Sequence, residues 1–228
     1  NSKMILAVVG LVFLGINLTK KGNASVDNKF LILSVWALAI SLIAFVSITI
    51  NHTPDDTFSM YFMSMWVWLG GAYAVITLIK SIHGGVSVPL VANYLLAVCV
   101  IQCVLALVFD NSAAAEEWHS RTFAGEAFMG NTDEDRLHGI GCSLDVAGFR
   151  FAAVICIAAF LLCRNFSRQS LWLSTFYLSA ICFITIIGNM IARSTIIGSA
   201  LALVYIVFIS LAKKENRELV VYLLSLIH

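Results

Sequence analysis

The sequence predicts an all-α fold, a polytopic transmembrane helical bundle, and three observations carry that reading. Apolar residues make up 60% of the 228, mean hydropathy is +0.92 and only 12% of residues are charged. Soluble domains carry roughly a quarter charged residues, so a water-soluble enzyme is excluded at the outset. The apolar residues fall in runs of about 17 to 21 divided by short polar stretches, which is the length a helix needs to cross a hydrocarbon core. Lysine and arginine also alternate from loop to loop, the mark of a chain threaded back and forth through a bilayer.

Taken in order, the apolar runs predict helices at 4–18, 30–50, 59–79, 88–109, 146–163, 171–187 and 195–211, with a truncated eighth from 219. That is about seven full spans, the first of marginal length, in a single transmembrane domain over 1–228. The last run, 220–228, is too short to cross a bilayer. No cleavable signal peptide is readable, and the chain is expected to be the middle of a longer protein.

Loop charge sets the orientation. One set of loops holds Lys20, Lys21, Lys29, Lys80, Arg164, Arg168, Lys213, Lys214 and Arg217, and this set is expected on the cytoplasmic side. The other set contains Asp55, Asp56, the turn at 188–194 and a long segment, 110–145, with eight carboxylates. It is expected to face the periplasm or the cell exterior. Most connectors run to about seven to eleven residues, but 110–145 runs to 36, and long loops in compact folds are usually functional or disordered. Within it, Ala113-Ala114-Ala115-Glu116-Glu117 favours helix, and Trp118, Phe123 and Phe128 suit the headgroup level, so an interfacial helix is expected.

Neither proline, Pro54 or Pro89, falls in mid-helix. Gly70-Gly71 is the one glycine pair inside a span, and close helix packing through small residues accounts for it better than a broken transporter helix. Five of the six cysteines lie in apolar runs, where cysteine behaves as a small hydrophobe, and only Cys142 is in a loop. Neither a disulfide lattice nor a metal site is expected. A net charge of +1 gives no basic surface for nucleic acid, and no such partner is expected.

Charged groups near membrane depth are costly and tend to mark sites. Two clusters qualify. In Gly188-Asn189-Met190-Ile191-Ala192-Arg193-Ser194-Thr195-Ile196-Ile197-Gly198, a lone basic residue opens a helix whose first exposed amides are expected from Ser194 and Thr195. A guanidinium beside a helix N-terminus suits a phosphate, although an arginine at this level also snorkels to lipid headgroups. The second cluster, Arg136-Leu137-His138-Gly139-Ile140-Gly141, follows Asp133-Glu134-Asp135 and joins an anion-binding group, an imidazole and flexible glycines. It reads equally as a charge-balanced solvated loop. Two arginines from separate outer loops can clamp the two phosphates of a pyrophosphate, each presenting a planar fork. His119, His52, His83 and Glu126 are weaker candidates, and Asn51-His52-Thr53 is a short sequon of little weight.

An outer loop ending in Arg136-Leu137-His138-Gly139 just before a helix, a short basic turn, another helix and then an outer Arg193-Ser194-Thr195 resembles the O-antigen ligase and polymerase (Wzy-type) superfamily of bacterial surface-polysaccharide enzymes. The match covers about 90 residues, 133 to 220. Where members often carry an Asn-Pro-Asn-like stretch, this chain has Cys142-Ser143-Leu144-Asp145, and no role is carried over to those four. The resemblance implies a GT-C-like membrane glycosyltransferase of the bacterial inner (cytoplasmic) membrane, with its long loop periplasmic. It would polymerise undecaprenyl-pyrophosphate-linked repeats of O-antigen, capsule or exopolysaccharide, without cofactor or metal.

On that resemblance Arg136 and Arg193 hold the pyrophosphate, with Gly139, Ser194 and Thr195 beside them. His138 and His119 are the fallback acid–base groups, since the family's catalytic histidine lies beyond the seventh span; the fragment alone is expected to be inactive. Implied partners are the lipid-linked glycan donor, a glycan or lipid A-core acceptor, membrane lipid, and flippase and chain-length regulator proteins. The alternatives are an O-antigen ligase that transfers polymer to lipid A-core, and, from another class, a polysaccharide flippase or transporter or a non-catalytic membrane protein. A transporter would need polar residues near the midplane, where the sequence offers mainly scattered Ser and Thr, Asn93 and Gln102.

Overall fold

In a computed structural model of the chain, residues 2–20, 28–53, 58–122, 137, 139–140, 144–164 and 171–212 are described. They form eight helices, with no strand among the described residues: α1 (Ser2–Lys20), α2 (Asn28–Asn51), α3 (Tyr61–His83), α4 (Val88–Asn111), α5 (Ala113–Thr122), α6 (Leu144–Arg164), α7 (Leu171–Ile191) and α8 (Thr195–Ala212). Each of the seven expected apolar runs coincides with a helix, and the helices reach up to four residues past the expected ends. The expected eighth run lies outside the described residues. Five helices are long and apolar enough to cross a membrane: Leu31–Asn51, Tyr61–His83, Val88–Asn111, Val146–Arg164 and Leu171–Ile191. The apolar stretches of α1 and α8, Lys3–Thr19 and Thr195–Ser210, are shorter than the roughly 20 residues a span usually needs.

The chain divides into two compact units, Asn1–Ser87 and Val88–His228. In the first, α1 lies along α3 at the distance only glycine permits. A Cβ on Gly10 would stand 1.8 Å from the Gly70 carbonyl oxygen, and one on Gly70 would stand 2.7 Å from that of Ala7. Lipid tails are as apolar as leucine, so helices gain little by merely touching in a membrane and associate where small residues let backbones approach. Gly70 therefore does what the sequence reading of the pair assigns it. Asn17 adds a hydrogen bond from Nδ2 to the Tyr73 hydroxyl (2.8 Å).

The start of α3 is tied to α2 in another way. The amides of a first helical turn have no partner within the helix, and Met60 offers no side-chain cap. The Phe62 amide donates instead to the Ser41 hydroxyl of α2 at 2.8 Å, and Ser41 is buried. At the other end α3 stops at Gly84, whose φ of 70° is the left-handed cap that glycine takes without strain.

In the second unit α6 is the central helix, packed against α4, α7 and α8. Of its membrane-length window 56% is buried, against 11% for α2. Ala147, Phe151, Val154, Ile155, Ala158, Ala159, Leu161 and Leu162 of α6 are all in the core. The α6–α8 contact is again built on small residues. A Cβ on Gly198 would lie 2.2 Å from the Ala152 Cα, and the Cys156 thiol rests on the Gly198 carbonyl at 3.6 Å. The Tyr177 hydroxyl donates to Asn93 Oδ1 (2.7 Å), joining α7 to α4, and Thr185 shares a hydrogen bond with Ser199 (2.9 Å), joining α7 to α8.

These contacts predict a clean contrast. Gly10→Ala and Gly198→Ala should each lower the thermal midpoint in detergent, with a cost of roughly 1–3 kcal/mol for forcing packed backbones apart. Gly15→Ala, with nothing within 4 Å of its Cβ position, should be neutral or stabilising by up to about 1 kcal/mol through helix propensity. Equal behaviour of the three variants in a melting series would refute the close-approach account.

Candidate functional site

The turn between α7 and α8 carries Arg193, the one basic residue of its sequence cluster. Here α7 is carried one residue further by the Ala192 amide, which donates to the Gly188 carbonyl (2.8 Å). Three tight bonds follow: Thr195 N to Ala192 O (3.0 Å), Ile196 N to Arg193 O (3.2 Å) and Ile197 N to Ser194 O (3.2 Å). They are spaced three residues apart, the 3₁₀ pattern that often tightens a helix terminus. The Thr195 hydroxyl donates to the Gly188 carbonyl as well (3.0 Å).

Gly188 has to be small for this to happen, since a Cβ there would meet Thr195 Cγ2 at 3.1 Å and the Phe151 ring at 3.2 Å. Gly148 at the start of α6 takes the other side of the turn: its Cβ would lie 2.0 Å from Ser194 Oγ and 3.0 Å from Ala192 Cβ. Ser194 Oγ is consequently buried, with no hydrogen-bond partner. Ile191, Ala192 and Thr195 have at most 1% exposure, and Arg193 is exposed.

The geometry corrects one expectation. Thr195 does not offer an exposed amide at the start of α8, because the 3₁₀ turn commits that amide to Ala192. The hydroxyls of Ser194 and Thr195 also face the bundle, and what they do is fix the backbone from which Arg193 projects. Among the described residues none is bonded to the Arg193 guanidinium, and these hydrogen bonds fix the backbone beneath it.

Of the second cluster, Arg136 and His138 lie outside the described residues. Leu137 and Gly139 are buried. Leu137 belongs to the same core as Ala147 and Phe151 of α6, Cys103 and Ala106 of α4, and Ile191 and Ala192 beside Arg193. The Ile140 carbonyl accepts a hydrogen bond from Gln102 Nε2 of α4 (3.2 Å). Leu137, Gly139 and Ile140 are thus packed against the helices of this unit.

His119 is held elsewhere. Ser112 opens α5, with its carbonyl accepting from the Glu116 amide (3.0 Å) and its hydroxyl from that of Ala115 (3.4 Å), as a serine N-cap does. A helix forms where the sequence expects one, with Trp118 exposed and an Arg121–Glu117 pair on its exposed face; Phe123 and Phe128 lie outside the described residues. His119 faces the other way, at 3% exposure, its ring 4.7 Å from that of Phe109 on α4 and tilted by 33°. A general base needs hydrogen-bond reach to its proton, and this imidazole shows almost no surface to a substrate. Its position explains how α5 is pinned to α4.

The structure therefore gathers Arg193, Ser194 and Thr195 in one turn and buries Gly139 two residues after Leu137, which belongs to the core that this turn shares. His119 belongs to the α4–α5 corner. Gln102, in the sequence only one of a few scattered polar residues within the spans, is the residue whose role the structure adds. Its signal was available: an amide side chain inside an apolar run needs a partner, and its spacing from Ile140 gives no hint of which one.

No family model, curated protein or solved structure matches the chain.

Removing the Thr195 hydroxyl should cost about 1 kcal/mol, so Thr195→Val is expected to melt below wild type while Thr195→Ser recovers part of the loss. Ser194→Ala should be neutral or stabilising, because it deletes a buried hydroxyl that has no partner. A clear destabilisation by Ser194→Ala would show that this hydroxyl is bonded after all.

Proposed function

We propose that this chain forms part of a bacterial inner-membrane glycosyltransferase that polymerises undecaprenyl-pyrophosphate-linked oligosaccharide repeats on the periplasmic face. The observation that carries the reading is the α7–α8 turn, where an exposed guanidinium stands on a backbone flanked by the buried Ile191, Ala192 and Thr195. A cation rooted this firmly needs little reorganisation when negative charge develops beside it, and preorganised charge is commonly the largest single contribution to catalysis.

In the proposed reaction the acceptor sugar hydroxyl attacks the anomeric carbon of the donor, and the bond from that carbon to the pyrophosphate oxygen breaks. The leaving pyrophosphate keeps the electron pair and the hydroxyl proton passes to a base. Charge grows on the pyrophosphate, where the planar forks of Arg193 and, in this reading, Arg136 would each take two oxygens. The reading uses the seven-span GT-C-like topology with 110–145 outside the membrane, and the inward-packed Leu137 supports it by giving the Arg136 loop a firm anchor. His138 is the base to examine first in this part of the chain, since His119 is occupied with Phe109.

The test is a gel profile of surface polysaccharide from a strain lacking the gene, complemented with wild type, Arg193→Ala or Arg193→Lys. Polymerase activity predicts a ladder collapsed to one repeat unit in the deletion, restored by wild type. With Arg193→Ala polymer should fall at least about tenfold, as loss of a charge-stabilising donor does. Arg193→Lys should recover only a fraction, because lysine keeps the charge and loses the fork. Full-length polymer held on its lipid carrier and absent from lipid A-core would favour the ligase. An unchanged ladder in the deletion strain would remove both and leave the flippase, transporter or non-catalytic readings.

A further inference from the structure

Gln102 lies nine residues before the end of α4 at Asn111, about 13 Å down the helix at 1.5 Å per residue. At that depth its Nε2 donates to the Ile140 carbonyl, 38 residues further along the chain (3.2 Å). Leu137 and Gly139 on the same stretch are buried, Leu137 in a core that also contains Cys99, Cys103 and Ala106 of α4. Non-helical backbone at membrane depth persists only where protein or a water-filled cavity satisfies its polar groups. Here one of those groups is satisfied by the amide of a residue that would itself be costly in lipid. Gln102 Oε1 is buried with no hydrogen-bond partner among the described residues, so the bond this side chain is seen to make is the one it donates.

We propose that Gln102 is a positioning residue: its amide latches the 137–140 stretch inside the bundle and so fixes the point from which the polypeptide bearing Arg136 departs. The role rests on the polymerase reading for its consequence, but the latch itself does not. Neither Gln102 nor Ile140 touches the reacting atoms in this scheme; the hydrogen bond acts through the loop. Leu137 in the core resists withdrawal of the stretch by packing, while the Gln102 bond holds the Ile140 carbonyl at one level of α4.

The experiment uses the full-length protein in native membranes, with Cys142→Ser to remove the loop thiol and Ile140→Cys as reporter. That reporter keeps the backbone carbonyl intact, and its rate of reaction with a water-soluble, membrane-impermeant maleimide measures how far the stretch is withdrawn from water. Gln102→Met removes the donor at similar size. Gln102→Leu likewise has no donor and serves if the methionine variant does not accumulate. The latch predicts labelling at least about fivefold faster in both variants, with Arg193→Ala labelling at the wild-type rate. It also predicts a shortened polysaccharide ladder for both Gln102 variants at wild-type protein level. Unchanged labelling overturns the latch, whatever the ladder does. Faster labelling with a full ladder overturns the positioning role. If deleting the gene leaves the ladder unchanged, the polymerase reading fails, and the labelling rates still decide the latch.

Discussion

Close approach of helix backbones through residues without bulk is the constraint on which the rest of this structure depends. In water a helix pair is held by the apolar surface it hides, but among lipid tails that gain largely disappears. What remains is van der Waals contact, and it grows as side chains shrink. Gly10 against Gly70 in the first unit and Gly198 against Ala152 in the second are placed where a single methyl group would collide with backbone. In the second unit the consequence spreads, because α6 touches three other long helices. Were α8 held away from it, the turn bearing Arg193 would lose the surface against which Ser194 and Ala192 rest.

Polar groups supply the register that apolar contacts leave open. A leucine tolerates sliding along a neighbouring helix; a hydroxyl or amide in an apolar setting does not, since misplacement leaves it unpaired at a cost of about 1–3 kcal/mol. Tyr177 with Asn93, Thr185 with Ser199, Ser41 with the Phe62 amide and Gln102 with the Ile140 carbonyl each fix one element against another. Two of the four end on main chain, where they also satisfy groups that secondary structure leaves without a partner. The same few side chains thus set helix register and permit irregular backbone inside the bundle.

The α7–α8 turn shows both effects acting on one functional group. Gly148 and Gly188 allow Ser194 and Thr195 to sink into the protein, Thr195 bonds back to Gly188, and Arg193 is left as the side chain of the turn that has somewhere to go only outward. Its exposure is therefore produced by the packing of its neighbours. An arginine on a flexible loop would carry the same charge, but would have to be ordered whenever an anion arrived, and ordering a long side chain and its backbone is costly.

Much of this was legible beforehand, and for one reason. A bilayer demands long apolar runs, so the seven runs, the α5 helix beside Trp118 and the packing role of Gly70 could be read from residue order alone. The same demand hides which face of each helix meets protein, because lipid-facing and protein-facing sides are equally apolar and periodicity no longer separates them. Hence Gly148, Gly188 and Gly198 carried no visible assignment, His119 read as a possible base although its ring lies on Phe109, and Thr195 read as an amide donor although its amide is committed to Ala192. Gln102 was visible as a polar residue in a span, but its partner lies 38 residues away in a stretch with no regular structure. The sequence by itself determined where the helices run and which few polar residues must find partners. Only the tertiary structure decided which partners those are, because contacts between distant segments follow from three-dimensional packing and leave no local period in the chain.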